Sequence, residues 1–217
     1  MKMKRTYIIN GIVALSTAAL FSSCGVMSTY QSAKTVGQGN KEITGNYTNY
    51  SLSTEDSREY DENPEKYSSI GIQAAYGVTD QFDAGFRFER MSYDGEGTSF
   101  LSFSGKYNLV ENVLSAYLPL GMYFSEDSDV GETLHIRPTI LGNIDLGDNA
   151  ELTPMIGYYL PFDGDAFKYV QIGIGAGIYL PKVEGLSIRP EMGFSISGED
   201  SGSQRIFHAG IGGVYKF

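Results

Sequence analysis

Apolar and polar side chains alternate along ten stretches of the chain between Lys41 and Phe217. The clearest example is 168–180, where valine, isoleucine, alanine and leucine alternate with glutamine, glycine and tyrosine. Successive side chains of an extended strand point to opposite faces, so a period of two predicts strands with one apolar face. The predicted strands are 41–51, 67–78, 82–93, 99–109, 113–124, 133–146, 151–162, 168–180, 186–196 and 204–217.

The strands have the length that a membrane barrel requires. Most are about 10 to 13 residues, whereas a tilted strand needs about 9 to 11 to cross a bilayer and soluble strands average about 5 or 6. Tight connections such as 79–81 and 147–149 alternate with mostly longer acidic ones such as 53–66 and 125–132. This alternation predicts an all-β fold, a closed antiparallel up-and-down transmembrane barrel of about ten strands with its short turns in the periplasm. Eight strands is the alternative, because 41–51 has the weakest pattern.

Composition narrows the class of protein further. The net charge of −10 argues against nucleic-acid binding, which needs a basic surface. The chain has 27 glycines and 16 tyrosines, which suits crowded strands and interfacial aromatic girdles but would also suit a soluble β-sandwich. A lipocalin-like soluble barrel would turn the apolar faces inward. We expect them to face lipid, because the opposite faces carry glycine, serine and isolated charges.

Pro138, Pro154 and Pro190 fall inside predicted strands. Proline removes a donor from the hydrogen-bond ladder. We therefore expect bulges or nearby strand ends at these positions.

The N-terminus has the features of an export leader. Lys2, Lys4 and Arg5 precede an apolar run of about fifteen residues that is too short and too interrupted to span a membrane. The run ends in Leu20-Phe21-Ser22-Ser23-Cys24, which resembles a bacterial lipobox, although Phe21 stands where leucine is usual. The resemblance implies a signal peptide at 1–23 and lipidation of Cys24, with ordinary cleavage as the alternative. Residues 24–40 are predicted as the anchor and a polar linker, and 41–217 as the barrel domain.

The last strand resembles the closing strand of bacterial outer-membrane β-barrels, because it alternates and ends on an aromatic residue. In that superfamily the end of the strand belongs to the signal that the insertion machinery reads, which implies this role for Tyr215 and Phe217. The stretch Gly77–Gly85 also resembles a strand-turn-strand pattern of small outer-membrane barrels. The resemblance implies a bacterial outer-membrane location. With ten strands, both termini would be periplasmic, where a lipid on Cys24 could enter the inner leaflet.

Charges on the polar faces of the strands should meet inside the barrel. Isolated buried ions are expensive, so opposite charges in a narrow lumen should pair and fill it. The predicted lumen charge network is Arg87, Glu89, Lys106, Arg137, Arg189, Glu191 and His208, and Lys216 is expected to face inward as well.

The sequence contains no pattern that indicates catalysis, a cofactor or a metal site. His135 and His208, the two histidines, are expected to face inward as hydrogen-bonded lumen residues. The acidic loops lack the spacing of an ordered calcium loop. We expect a non-enzymatic outer-membrane lipoprotein with a structural or interaction role. Its expected partners are outer-membrane lipid, lipopolysaccharide, the insertion machinery and a larger outer-membrane complex. A small passive channel is the first alternative, and a hydrolase or lipid-modifying enzyme is the second.

Overall fold

Ten antiparallel strands close into a barrel in the computed structural model, which describes residues 27–56, 59–60, 64–93, 96–124, 134–162, 168–199 and 202–217. Every neighbouring pair is antiparallel, and the ring closes where the first strand pairs with the last along fourteen residue pairs, from Glu42–Lys216 to Glu55–Ser203. The unbroken barrel strands are β1 (Lys41–Asp56), β3 (Glu65–Gly77), β4 (Phe82–Tyr93), β5 (Glu96–Val110), β6 (Leu114–Phe124), β10 (Ala150–Pro161), β11 (Tyr169–Tyr179), β12 (Leu186–Glu199) and β13 (Gly202–Lys216).

The sixth barrel strand is divided into three pieces, β7 (His135–Ile136), β8 (Thr139–Gly142) and β9 (Ile144–Asp145). A further short strand, β2 (Glu59–Tyr60), extends the pairing of β1. The prediction of ten strands is therefore confirmed, and β1, the weakest segment in the sequence, pairs with both β3 and β13.

Each of the three prolines lies beside an interruption of pairing. Pro138 occupies the break between β7 and β8, and Pro154 lies opposite the break between β8 and β9. Pro190 lies where pairing of β12 with β11 lapses between Glu191 and Ile188. The expected local irregularity is present, and its physical cause is the missing N–H donor.

The apolar face of each strand points outward. Ile70, Ile172 and Phe194 are each more than half exposed, and the exposed large side chains form an apolar belt around the barrel. Exposure of so much apolar surface is unfavourable in water and favourable in hydrocarbon. The barrel is thus built to cross a membrane with its strands. Among the described residues, no helix is long and apolar enough to do so.

The two ends of the barrel differ. At the turn end, β3–β4, β5–β6, β9–β10 and β11–β12 are joined by short connections, and Lys41 pairs its backbone with Phe217 at 2.8 and 2.9 Å. At the loop end lie the connections that contain 125–133 and 163–167, which are outside the described residues. Not every connection at this end is long, because β4 ends at Tyr93 and β5 begins at Glu96, while β12 ends at Glu199 and β13 begins at Gly202.

Candidate functional site in the barrel lumen

The lumen is filled by the chain's own N-terminal residues. We call Met27–Val36 the plug segment; seven of its ten residues are buried: Met27, Ser28, Thr29, Tyr30, Ser32, Ala33 and Val36. From the sequence, this stretch is predicted to be a linker between the anchor and the barrel. The structure instead places it inside the ring, where its polar residues find partners on all sides and therefore show no periodicity.

The plug segment runs from the turn end to the loop end. At the turn end, Val36 donates its backbone N–H to Asp83 at 3.0 Å, and Gln38 donates to Asp80 at 3.1 Å. At the loop end, Met27 packs in a buried cluster with side chains near the ends of the strands. These side chains include Leu52, Tyr67, Met91 and Tyr169. Met27 and Phe217 therefore lie toward opposite ends of the barrel. Residues 1–26, including Cys24, lie outside the described residues.

Glu191 binds the bend of the plug segment. Its carboxylate accepts the backbone N–H of Thr29 at 2.7 Å, the backbone N–H of Tyr30 at 2.6 Å and the hydroxyl of Thr29 at 2.8 Å. The φ of Tyr30 is 52°, in the left-handed region that residues with a side chain rarely adopt. Two consecutive N–H groups that converge on one anion form a nest, so the bend and the carboxylate stabilise each other.

Cations of the barrel wall bind the carbonyl groups of the plug segment. Arg87 and Arg137 both donate to the carbonyl of Ser28, Arg137 at 3.2 Å. Lys106 donates to the carbonyls of Ser32 and Lys34 at 3.3 and 2.8 Å. Further carbonyl contacts come from Gln171 to Met27, Arg189 to Tyr30 and Ser115 to Ala33. The wall thus binds the backbone of the segment along most of its length.

The predicted lumen charges are all buried, and most form pairs. Arg87 pairs with Glu89, donating from Nε at 2.9 Å, and His208 lies 3.4 Å from Glu191. Three other cations bind partners outside the predicted network. Lys106 pairs with Asp83 at 3.1 Å, and Arg189 pairs with Glu42 at 3.4 Å. Arg137 donates to Gln171 at 3.4 Å. Lys216, expected to face inward, is exposed, because β13 ends there at the turn end.

Three buried acids are missing from the predicted network: Glu42, Asp83 and Glu151. Each has the same parity as the polar residues of its strand, so strict alternation would have identified them. The described lumen then holds four buried cations (Arg87, Lys106, Arg137, Arg189) and five buried acids (Glu42, Asp83, Glu89, Glu151, Glu191). Lys34 of the plug segment lies 3.2 Å from Glu151 and supplies a fifth positive charge to match the five acids.

A layer of rings closes the lumen near the loop end. His135 stacks against both Phe100 and Tyr123, at centroid distances of 5.6 and 5.2 Å, and those two rings lie 5.1 Å from each other. His135 also lies 4.6 Å from Tyr159. Tyr50 stacks on Tyr67 at 4.6 Å. The sequence analysis assigns tyrosine to interfacial girdles and describes the inner faces as small or charged. That description is wrong for the loop end, where large rings share the inward parity.

The other predicted positions lie at the turn end. The rings of Tyr215 and Phe217 are exposed, stack at 5.9 Å and point toward the membrane side of the barrel. Lys41 lies 5.8 Å above the ring of Phe217. In the described part of the chain, no group of three or more histidine, aspartate or glutamate side chains could hold a metal ion.

Comparison with known proteins gives likeness in structure alone. No protein-family model and no curated protein matches the sequence. The translocator domain of the autotransporter NalP from Neisseria meningitidis has a TM-score of 0.48 at 13% identity, over 83% of this chain and 89% of that one. An outer membrane channel from Pseudomonas putida F1 has a TM-score of 0.47 at 15% identity, over 85% and 98%. The outer membrane protease OmpT from Escherichia coli has a TM-score of 0.45 at 11% identity, over 82% and 96%.

These likenesses carry no argument about function, because every TM-score is below 0.5. The closed ring, the outward apolar belt and the polar interior are features of the molecule itself. This chain therefore has the fold of a bacterial outer-membrane β-barrel, with ten strands and a lumen occupied by its own N-terminal segment.

Proposed function

We propose that the protein is a non-conducting outer-membrane lipoprotein that serves a structural or interaction role. The observation that carries this proposal is the plug segment, which fills the lumen along its length and binds wall charges of both signs. An open pore would leave Glu191 and Arg137 without the partners that the plug segment supplies. Charges removed from water are costly unless they are paired, so the partners that the plug segment supplies support an occupied lumen.

The plug segment argues against the channel alternative. In small barrels the interior is filled by side chains, and water-filled channels belong to larger ones. Here the remaining width is taken up by the plug segment, and Met27 packs in one buried cluster with Phe100 and Tyr159 of the ring layer.

The enzyme alternative finds no support in the histidines. His208 is fully buried beside Glu191, and His135 is enclosed by three aromatic rings. A general base must come within hydrogen-bond reach of its substrate. The plug segment and the ring layer separate both imidazoles from the surface of the described barrel.

The proposed orientation places the turn end, with Phe217, in the periplasm and the loop end outside. The apolar belt contacts outer-membrane lipid and the loop end faces lipopolysaccharide. Tyr215 and Phe217 serve the insertion machinery, and the loop end is the surface for a larger outer-membrane complex. Lipidation of Cys24 remains part of the proposal. Two residues separate Cys24 from Met27, and the three steps along the chain span at most about 11 Å, so a lipid there would enter the membrane at the loop end rather than the periplasmic leaflet.

Planar-bilayer recording tests the proposal on the full chain. We expect no steady single-channel steps at neutral pH. A variant that lacks 27–36 and folds should conduct, because the lumen then contains only wall side chains. Steady conductance from the intact protein, equal to that of the variant, would reject the proposed role.

A further inference from the structure

We propose that the lumen is a binding site for a peptide with a tyrosine among small polar residues and a lysine four positions later. In this structure the chain's own residues from Met27 to Gln38 occupy the site as such a peptide. This inference goes beyond the proposed role, because it assigns the lumen a ligand that could be exchanged.

The wall binds the peptide backbone at many points, in addition to several side chains. The carbonyls of Met27, Ser28 and Tyr30 accept from Gln171, from Arg87 and Arg137, and from Arg189. Carbonyls nearer the turn end accept from Lys106 and Ser115. Backbone N–H groups reach Glu191 and Asp83. Contacts of this kind suit any peptide that follows the same path.

One side-chain position is specific, a slot for Tyr30 against β1 and β13. The hydroxyl of Tyr30 lies 2.7 Å from the Thr48 hydroxyl and donates to the carbonyl of Tyr47 at 3.0 Å. The ring fits only because β13 has glycines here: a Cβ at Gly210 would come within 2.0 Å of the Tyr30 hydroxyl, and one at Gly212 within 3.1 Å of the ring. The slot therefore selects a tyrosine at this position.

A second selective position lies near the turn end. Lys34 pairs with Asp145 at 2.7 Å and with Glu151 at 3.2 Å. Glu151 is buried, so a peptide without a cation here would leave its charge uncompensated. Together the two positions define the ligand as tyrosine followed four residues later by lysine.

The wall is complete without the plug segment, which makes exchange possible. None of residues 27–40 belongs to a strand, and the sheet closes through β1–β13 and β10–β11. The segment joins β1 through Gly37 and Gly39, whose φ values of 85° and 80° mark a sharp turn, and the residues from Gln38 to Asn40 are exposed. A cut in this connection would leave the ring intact and free the peptide at its only described covalent link.

The test uses the full chain with a protease site in place of Gln38-Gly39. The protein is folded in detergent and cut, and the released segment is washed out. A synthetic peptide of residues 27–38, with a fluorophore at its C-terminal end, is then added and followed by anisotropy. We expect saturable binding, and a peptide with Tyr30→Ala should bind about tenfold more weakly or worse, because it loses a buried ring and two hydrogen bonds.

Matched variants of the barrel separate the slot from general effects. Gly212→Val should weaken binding of the natural peptide, whereas Gly213→Ala, on the outer face with nothing within 4 Å of its Cβ, should not. If the emptied barrel unfolds, the peptide is added during refolding of a chain that lacks 27–38, and recovery of the folded form is expected only with the natural peptide. Equal binding or equal recovery with the Tyr30→Ala peptide, or none with the natural one, would overturn the proposal.

Discussion

Glu191 accepts the backbone N–H of Tyr30 at 2.6 Å, across a separation of 161 residues in the chain. The two residues join the bend of the plug segment to the middle of β12. Because the carboxylate also binds Thr29 and lies near His208, it connects the plug segment to a buried charged group of the wall.

Replacing Glu191 with glutamine should destabilise the barrel by about 2 to 3 kcal/mol, since the amide NH₂ would face backbone donors in a buried site. Guanidinium unfolding in detergent micelles, followed by circular dichroism, measures this change. Glu184→Gln, in the exposed β11–β12 turn, is the matched control and should stay within about 0.5 kcal/mol of the natural protein. An unchanged midpoint for Glu191→Gln would show that the plug segment contributes little to stability.

Lys34→Met should also lower stability, by about 2 kcal/mol, because it leaves the buried Glu151 carboxylate without this cation. The double variant Lys34→Met with Glu151→Gln should recover part of the loss, which a double-mutant cycle in the same unfolding assay would show. Lys182→Met, in the exposed turn, serves as the control. Strict additivity of the two changes would contradict the pairing.

A charge in the apolar belt should disturb the membrane-facing wall. Ile172→Arg, in the middle of β11 with an exposed side chain, should cost about 2 to 4 kcal/mol in lipid. Val183 is also exposed, at 47% against 59% for Ile172, but it lies in the turn, so Val183→Arg should be nearly neutral. Folding yield into vesicles distinguishes the two. Equal yields would mean that the belt does not face hydrocarbon.

The orientation predicts which ends an external protease can reach. A protease site inserted between Val183 and Glu184, at the turn end, should be cut only after the outer membrane is permeabilised. A site inserted between 128 and 129, in the connection after β6, should be cut on intact cells. The reverse pattern would place the turn end outside and overturn the proposed orientation.

The strands were predictable because each has one face toward hydrocarbon and one toward a polar lumen, which produces alternating apolar and polar residues. In 82–93 the predicted bounds equal those of β4, and the three prolines mark interruptions of the ladder as expected. The predicted strands end too early near the loops, at β1 and β12. Polar residues continue the strand pairing there beyond the apolar pattern.

The plug segment could not be predicted by the same reasoning. Ser28 and Thr29 are surrounded by wall residues, so burial imposes no period on the segment, and its small polar side chains resemble those of a linker. The inward rings are different. The alternation does place these rings inward, because each has the same parity as the polar residues of its strand. They are Tyr67, Phe100 and Tyr159. The expectation that large rings face lipid assigned them to the wrong side.

A disulfide between the plug segment and the wall tests the central claim most directly. The hydroxyls of Ser28 and Thr48 are 3.3 Å apart. In a Cys24→Ala background, Ser28→Cys with Thr48→Cys should form a disulfide on mild oxidation of the folded protein in detergent, detected by mass spectrometry of the linked peptides. Ser28→Cys with Tyr47→Cys, whose second position faces outward, should not. Free thiols in the first pair, or equal reaction of both pairs, would show that the N-terminal segment does not occupy the lumen.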